Sequence, residues 1–115
     1  MQFNLLNAAV LLALPLAAQA CDIRVQWTKN WQEQGLRRYQ VKLTTNPVPN
    51  EGHAALYCDK LGGNNRACYW DSDGHYKADV SFVDGPAGYS AYLNAHNHAA
   101  SEFRRFTGCE AILAI

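Results

Sequence analysis

Four cysteines, at positions 21, 58, 68 and 109, constrain this chain more than any other feature. A chain of 115 residues buries only a thin core, and covalent crosslinks commonly supply what such a core lacks. Whether they form depends on the compartment, and the N-terminal residues bear on that. Residues 1–20 carry no Lys, Arg, Asp or Glu and hold an apolar run, Ala8 to Ala18, broken only by Pro15. Ala18-Gln19-Ala20 then sets small residues at the first and third places of a triplet, the pattern that signal peptidase accepts. The run falls short of the roughly 20 apolar residues of a bilayer span. Residues 1–20 therefore read as a secretory signal, and residues 21–115 as a single disulfide-stabilised α/β domain. In that compartment the cysteines read as disulfides.

Ten Lys and Arg offset ten Asp and Glu. That balance gives no electrostatic footprint for DNA, RNA or anionic lipid, so no nucleic-acid partner is expected. No second apolar stretch is long enough for a stable membrane anchor. Cys21 follows Ala18, a poor match to the aliphatic residue that a bacterial lipid anchor sets three places ahead of its cysteine. No basic cluster adjoins it to activate the thiol.

The pattern of apolar residues changes period along the chain. Ile23, Val25 and Trp27 alternate with Asp22, Arg24 and Gln26, the signature of a half-buried strand. Tyr39, Val41 and Leu43 alternate in the same way with Arg38, Gln40 and Lys42, which puts the polar set outward. "KNWQEQG" (29–35) between them reads as a polar connector. After "NPVPN" (46–50), Asn50 suits a helix N-cap, and Ala54, Tyr57, Cys58 and Leu61 recur at helical spacing before Gly62-Gly63. "RACYW" (66–70) and "YKADVSFV" (76–83) flank the turn-forming "DSDGH", which predicts a hairpin. From Tyr89 a stripe of Tyr92, Leu93, His96, Ala99, Ala100, Phe103 and Phe106 predicts an amphipathic helix stopped at Gly108. "CEAILAI" (109–115) reads as a strand covered on both sides.

The resulting order is ββαββαβ, an α+β class with a five-stranded, mainly antiparallel sheet and two helices. Without its first strand it is the split β-α-β, ferredoxin-like plan. Right-handed crossovers place the last strand beside the second, with the first strand added outside the last. Strands one and five then run parallel as neighbours. Of three connectivities, that layout favours Cys21–Cys109 and Cys58–Cys68. Loop-closure entropy values them at about 4.6 and 2.7 kcal/mol as upper figures.

Several patterns hint at chemistry and carry little of it. His96 and His98 in "AHNHA" (95–99) point about 200° apart on a helix and cannot share a metal, so His96 reads as a packed, hydrogen-bonded core residue. His98 with Glu102 supplies too few ligands for zinc. "DSDGHY" (71–76) resembles the start of a calcium loop, but its later positions hold His75, Tyr76 and Phe82 instead of the required ligands. A turn explains it. A ribonuclease would draw on His53, His75, Glu51, Arg37, Arg38 and Arg66, and nothing in their spacing says that they converge. No catalytic residue, metal or cofactor is assigned. The aromatic residues say more: Trp31 sits in a polar connector, and one of Tyr69 and Trp70 faces out of the hairpin. Together they form the candidate interaction surface.

The signal that begins "MQF" and ends "AQA", the small domain with two cysteine pairs, and the ββαββαβ order resemble a small secreted effector of a plant-pathogenic fungus. The layout is similar to the killer-toxin-like α/β sandwich and to the biotrophy-associated secreted proteins of the rice blast fungus. The resemblance implies a virulence effector that binds a host protein or a co-secreted effector to modulate plant defence. It further implies a protein secreted during infection, and leaves open whether it acts outside host cells or is translocated into them. It transfers no site residue and leaves the oligomeric state open. The alternatives are a secreted toxin or antimicrobial protein, which the neutral charge opposes, and a small secreted hydrolase such as a ribonuclease.

Overall fold

The computed structural model describes residues 21–115. The signal-sequence reading of residues 1–20 lies outside the described residues. The elements are β1 (Asp22–Glu33), β2 (Leu36–Asn46), α1 (Glu51–Lys60), β3 (Asn64–Trp70), β4 (Tyr76–Val83), α2 (Pro86–Thr107) and β5 (Glu110–Ala114). The class is α+β and the order is ββαββαβ, as the periodicity requires.

Asn50 caps α1 through its side-chain oxygen, which accepts from the His53 N–H at 3.0 Å. Proline at the start of α2 and Gly108 in the left-handed region (φ 75°) at its end bound the longer helix, which begins three residues before Tyr89. In its first turn Gly88 lies against the Val83 carbonyl, so close that any Cβ would collide with β4 backbone. Both helices cover one sheet face. There Ile23, Val25, Val41 and Val80 meet Tyr57, Tyr92 and Phe103, all almost completely buried.

The "KNWQEQG" connector is not a connector. β1 continues through it to Glu33 and turns at Gln34 (φ 55°) and Gly35 (φ 80°). Two consecutive left-handed residues make the tight turn whose twist suits a hairpin. The turn pairs β1 with β2 along its whole length, from Asp22↔Asn46 to Glu33↔Leu36.

That pairing corrects the strand order. The sheet runs β3-β4-β2-β1-β5. β1 takes the edge of β2 that the crossover argument reserved for β5, because a two-residue turn leaves it no chain with which to pass over another strand. β5 still lies parallel to β1, Ile23↔Ala111 to Gln26↔Ala114, but as an edge strand. It is covered on one face only: Ala111 is buried while Ile112 is 43% exposed. The two-sided cover expected for "CEAILAI" is absent because the helices lie on a single side.

Cys21 is bonded to Cys109 with Cα atoms 5.0 Å apart, and Cys58 to Cys68 at 6.5 Å. The first bridge ties the starts of the parallel strands β1 and β5. The second fastens α1 to the edge strand β3.

Candidate functional site

Two places gather side chains with chemical potential, one on each face of the sheet. The helix-free face is polar, yet much of it is buried. A β-bulge between Trp27 and Lys29 inserts one residue, and after it Lys29, Trp31 and Glu33 share this face with Arg38 and Gln40. The Thr28 hydroxyl donates to Gln40 Oε1 (2.7 Å), Gln40 Nε2 donates to the Tyr69 hydroxyl (3.1 Å), and that hydroxyl donates to Asp79 Oδ2 (2.7 Å). Arg38 Nη1 donates to Ser81 Oγ at 2.9 Å, and its Nε faces Glu33 at 3.6 Å and Asp79 at 4.0 Å. Burial and the bond to Asp79 both raise the Tyr69 pKa.

Arg38 and Gln40 thus point outward, as their alternation requires, but not into water: Arg38 is 9% exposed and Gln40 4%. Trp31 and Lys29 flank them across the ladder, and Ser81 and Tyr69 take their polar ends on the other side. A cleft of about 290 Å³ opens beside them between Glu33, Gln34, Arg38, Asn65 and Ser81. Glu33 and Asp79 already answer the Arg38 charge, so the cleft has no strong pull on an anion.

The second place is a groove of about 150 Å³ at the turn of the β3–β4 hairpin. Leu43, Pro49, Ala54 and Tyr76 line it together with Trp70, and Asn50 and His75 sit at its polar part. No Lys, Arg, Asp or Glu lines it. Trp70 meets Tyr76 edge to face, centroids 5.3 Å apart, and stays 49% exposed. An uncharged concavity beside a half-exposed indole suits an apolar or neutral group of a partner.

Several other titratable residues have structural partners. His96 is 2% exposed, with Nδ1 2.7 Å from the Tyr57 hydroxyl. Burial pushes its pKa down to about 4 and raises that of Tyr57. The calcium-like loop holds an internal cation: Lys77 Nζ lies 2.9 Å from Asp71 and 3.0 Å from Asp73. Those contacts lower both carboxylates and raise Lys77. Glu102 pairs with Arg105, not with His98, at 2.8 Å. Among the described residues no three metal-binding side chains converge. Of the ribonuclease candidates, Arg37 pairs with Asp84, Arg66 donates to the Asp59 and Leu61 carbonyls, and the His53 ring abuts Phe103.

The residues of the sequence-derived surface do not form one patch. Trp31 lies on the helix-free face, under the Lys29 ammonium at 5.1 Å. Tyr69 shares that face, its hydroxyl locked into the Asp79 network. Trp70 is on the other side, in the groove. Trp27, expected in the core with Ile23 and Val25, is 47% exposed, because β5 ends opposite Gln26 and leaves Trp27 with Val41 of β2 on one side only. Tyr89 and Phe106, at the two ends of the α2 stripe, are exposed as well. No helix among the described residues is long and apolar enough to cross a membrane. No family model, no curated protein and no solved structure matches the chain.

Proposed function

We propose that the protein is a secreted effector that works by binding, capturing a host protein or a co-secreted partner and so modulating plant defence. One observation carries this reading: none of the chain's three tryptophans belongs to its core. The core is filled by tyrosine, phenylalanine and aliphatic side chains, while Trp27 and Trp70 are about half exposed and Trp31 is partly so. Large aromatic surface left in water is what anchors at binding interfaces provide. Trp70 has the best setting, an uncharged groove that accepts an apolar side chain of the partner. Two disulfides hold such a surface rigid outside the cell.

The test is capture from plant extracellular fluid and from the secretions of the producing organism, with the disulfide-bonded protein and its Trp70→Ala form. The variant is expected to lose the captured partner while its unfolding curve moves by less than about 0.5 kcal/mol, as for surface substitutions in general. Undiminished capture by Trp70→Ala and Trp27→Ala, or turnover of RNA by the purified protein, defeats the proposal.

A further inference from the structure

β1 is paired on one side along its whole length, but on the other only as far as Gln26. Residues 27–33 therefore form an open edge beside the end of β5, and among the described residues no strand occupies it. The Cys21 carbonyl accepts from the Glu110 N–H, so odd-numbered residues at the start of β1 turn their backbone groups toward β5. The bulge shifts that parity, and beyond it Asn30 and Gln32 turn theirs to the open edge. Unpaired edges invite another strand.

We propose that this edge pairs antiparallel with the same edge of a second copy of the chain, about a two-fold axis at Trp31. The segment Lys29-Asn30-Trp31-Gln32-Glu33 has the required antisymmetry. With Trp31 opposite Trp31 of the second copy, Asn30 falls opposite Gln32, and these are the residues whose backbone groups face outward. Lys29 then falls opposite Glu33 on the helix-free face, twice, once on each side of the axis. A two-fold interface must be self-complementary in this way. A lysine and a bulge on an edge discourage unselected strands, and here the lysine is answered by a strand that brings an acid to its position. The two tryptophans meet between the two ion pairs, and the sheets join into one. This dimer is independent of the Trp70 groove, which lies at the far side of the sheet.

Sedimentation velocity over a wide concentration range tests it on the disulfide-bonded protein. A reversible monomer–dimer equilibrium is expected. Lys29→Glu and Glu33→Lys each set like charges opposite one another and should weaken the dimer about tenfold. The double exchange, Lys29→Glu with Glu33→Lys, restores the complementarity and should recover it. Asn30→Pro removes an outward N–H and spares the β2 ladder, and should weaken the dimer as well. Glu33 neighbours Arg38, so Lys29→Glu and Asn30→Pro, which leave that contact alone, decide the matter if Glu33→Lys does not fold. A wild-type protein that is monomeric at every concentration overturns the proposal. So does a dimer unchanged in Lys29→Glu and Asn30→Pro, or a folded double exchange that fails to dimerise.

Discussion

On the helix side of the sheet, Ile23, Val25, Val41 and Val80 are buried because α1 and α2 lie over them. On the other side no helix lies above Arg38, Gln40, Lys77, Asp79 and Ser81, yet these are buried almost as deeply. The first group gains from leaving water and asks only for close packing. The second gains little from burial itself and must replace each lost hydration bond, which the chain from Thr28 through Gln40 and Tyr69 to Asp79 largely does. Asp79 Oδ1 has no hydrogen-bond partner among the described residues. The helix side should therefore carry the stability, and the polar side the definition of register. Four measurements sharpen or break that contrast.

The largest effect belongs to the bridge at the start of β1 and β5. Replacing Cys21 and Cys109 with serine should cost up to about 4.6 kcal/mol, since the crosslink closes nearly the whole domain in the unfolded chain. Urea unfolding of the double variant checks this. Phe103→Ala, in the middle of the helix-side core, should cost about 4 kcal/mol by lost transfer energy and a residual cavity. A loss below about 1 kcal/mol in the same assay would show that the helix layer is not the main source of stability.

Acid probes the polar pair inside that apolar layer. His96 has its pKa pushed from 6.5 to about 4 by burial, so between those values the unfolded chain takes a proton that the folded chain refuses. Stability is at its full value above pH 6.5 and falls as the pH drops toward 4, by about 3 kcal/mol in all. His96→Leu should lose this slope while being less stable at pH 7, because the Tyr57 hydroxyl exchanges its 2.7 Å ring partner for the 3.4 Å contact to the residue 96 carbonyl alone. Urea midpoints measured across that pH range decide it.

The polar face should yield the smallest change when it is altered as a unit. Arg38→Ala leaves Asp79 without a cation and should cost about 2 kcal/mol. The paired replacement Arg38→Met with Asp79→Leu leaves no buried charge and should cost less than Arg38→Ala, the remaining loss coming from the Tyr69 hydroxyl that no longer has Asp79 to donate to. A paired variant as unstable as the single one would mean that this network contributes stability in its own right.

Much of the architecture is legible in the residues. Strands and helices announce themselves by period, Asn50 and Gly108 by the backbone positions they suit, and β4 coincides with "YKADVSFV". His96 falls on the apolar stripe and is a core residue. What escaped is instructive. "KNWQEQG" looks like a loop because its residues are polar, but a sheet with one bare face can hold polar residues on it. The Gln34-Gly35 pair was the available signal, and it lacks the asparagine or aspartate that usually marks such a turn. Once β1 is extended, the β-bulge decides which way Trp31 faces, and no residue pattern encodes that bulge. Trp27 fits the alternation of β1 but is exposed, since its cover depends on where a strand from the other end of the chain stops.

By itself the sequence determined the order of the elements, the apolar faces of the strands and α2, and the cysteines at strand and helix ends that make two bridges feasible. These are local consequences of period, capping and spacing. Only the tertiary structure decided that β1 lies between β2 and β5, that Arg38, Gln40 and Lys77 are buried without a covering layer, and that Trp31 and Trp70 belong to different faces. Each of these depends on which strands become neighbours and where their pairing ends, and that is settled by turn geometry and contacts between residues far apart in the chain.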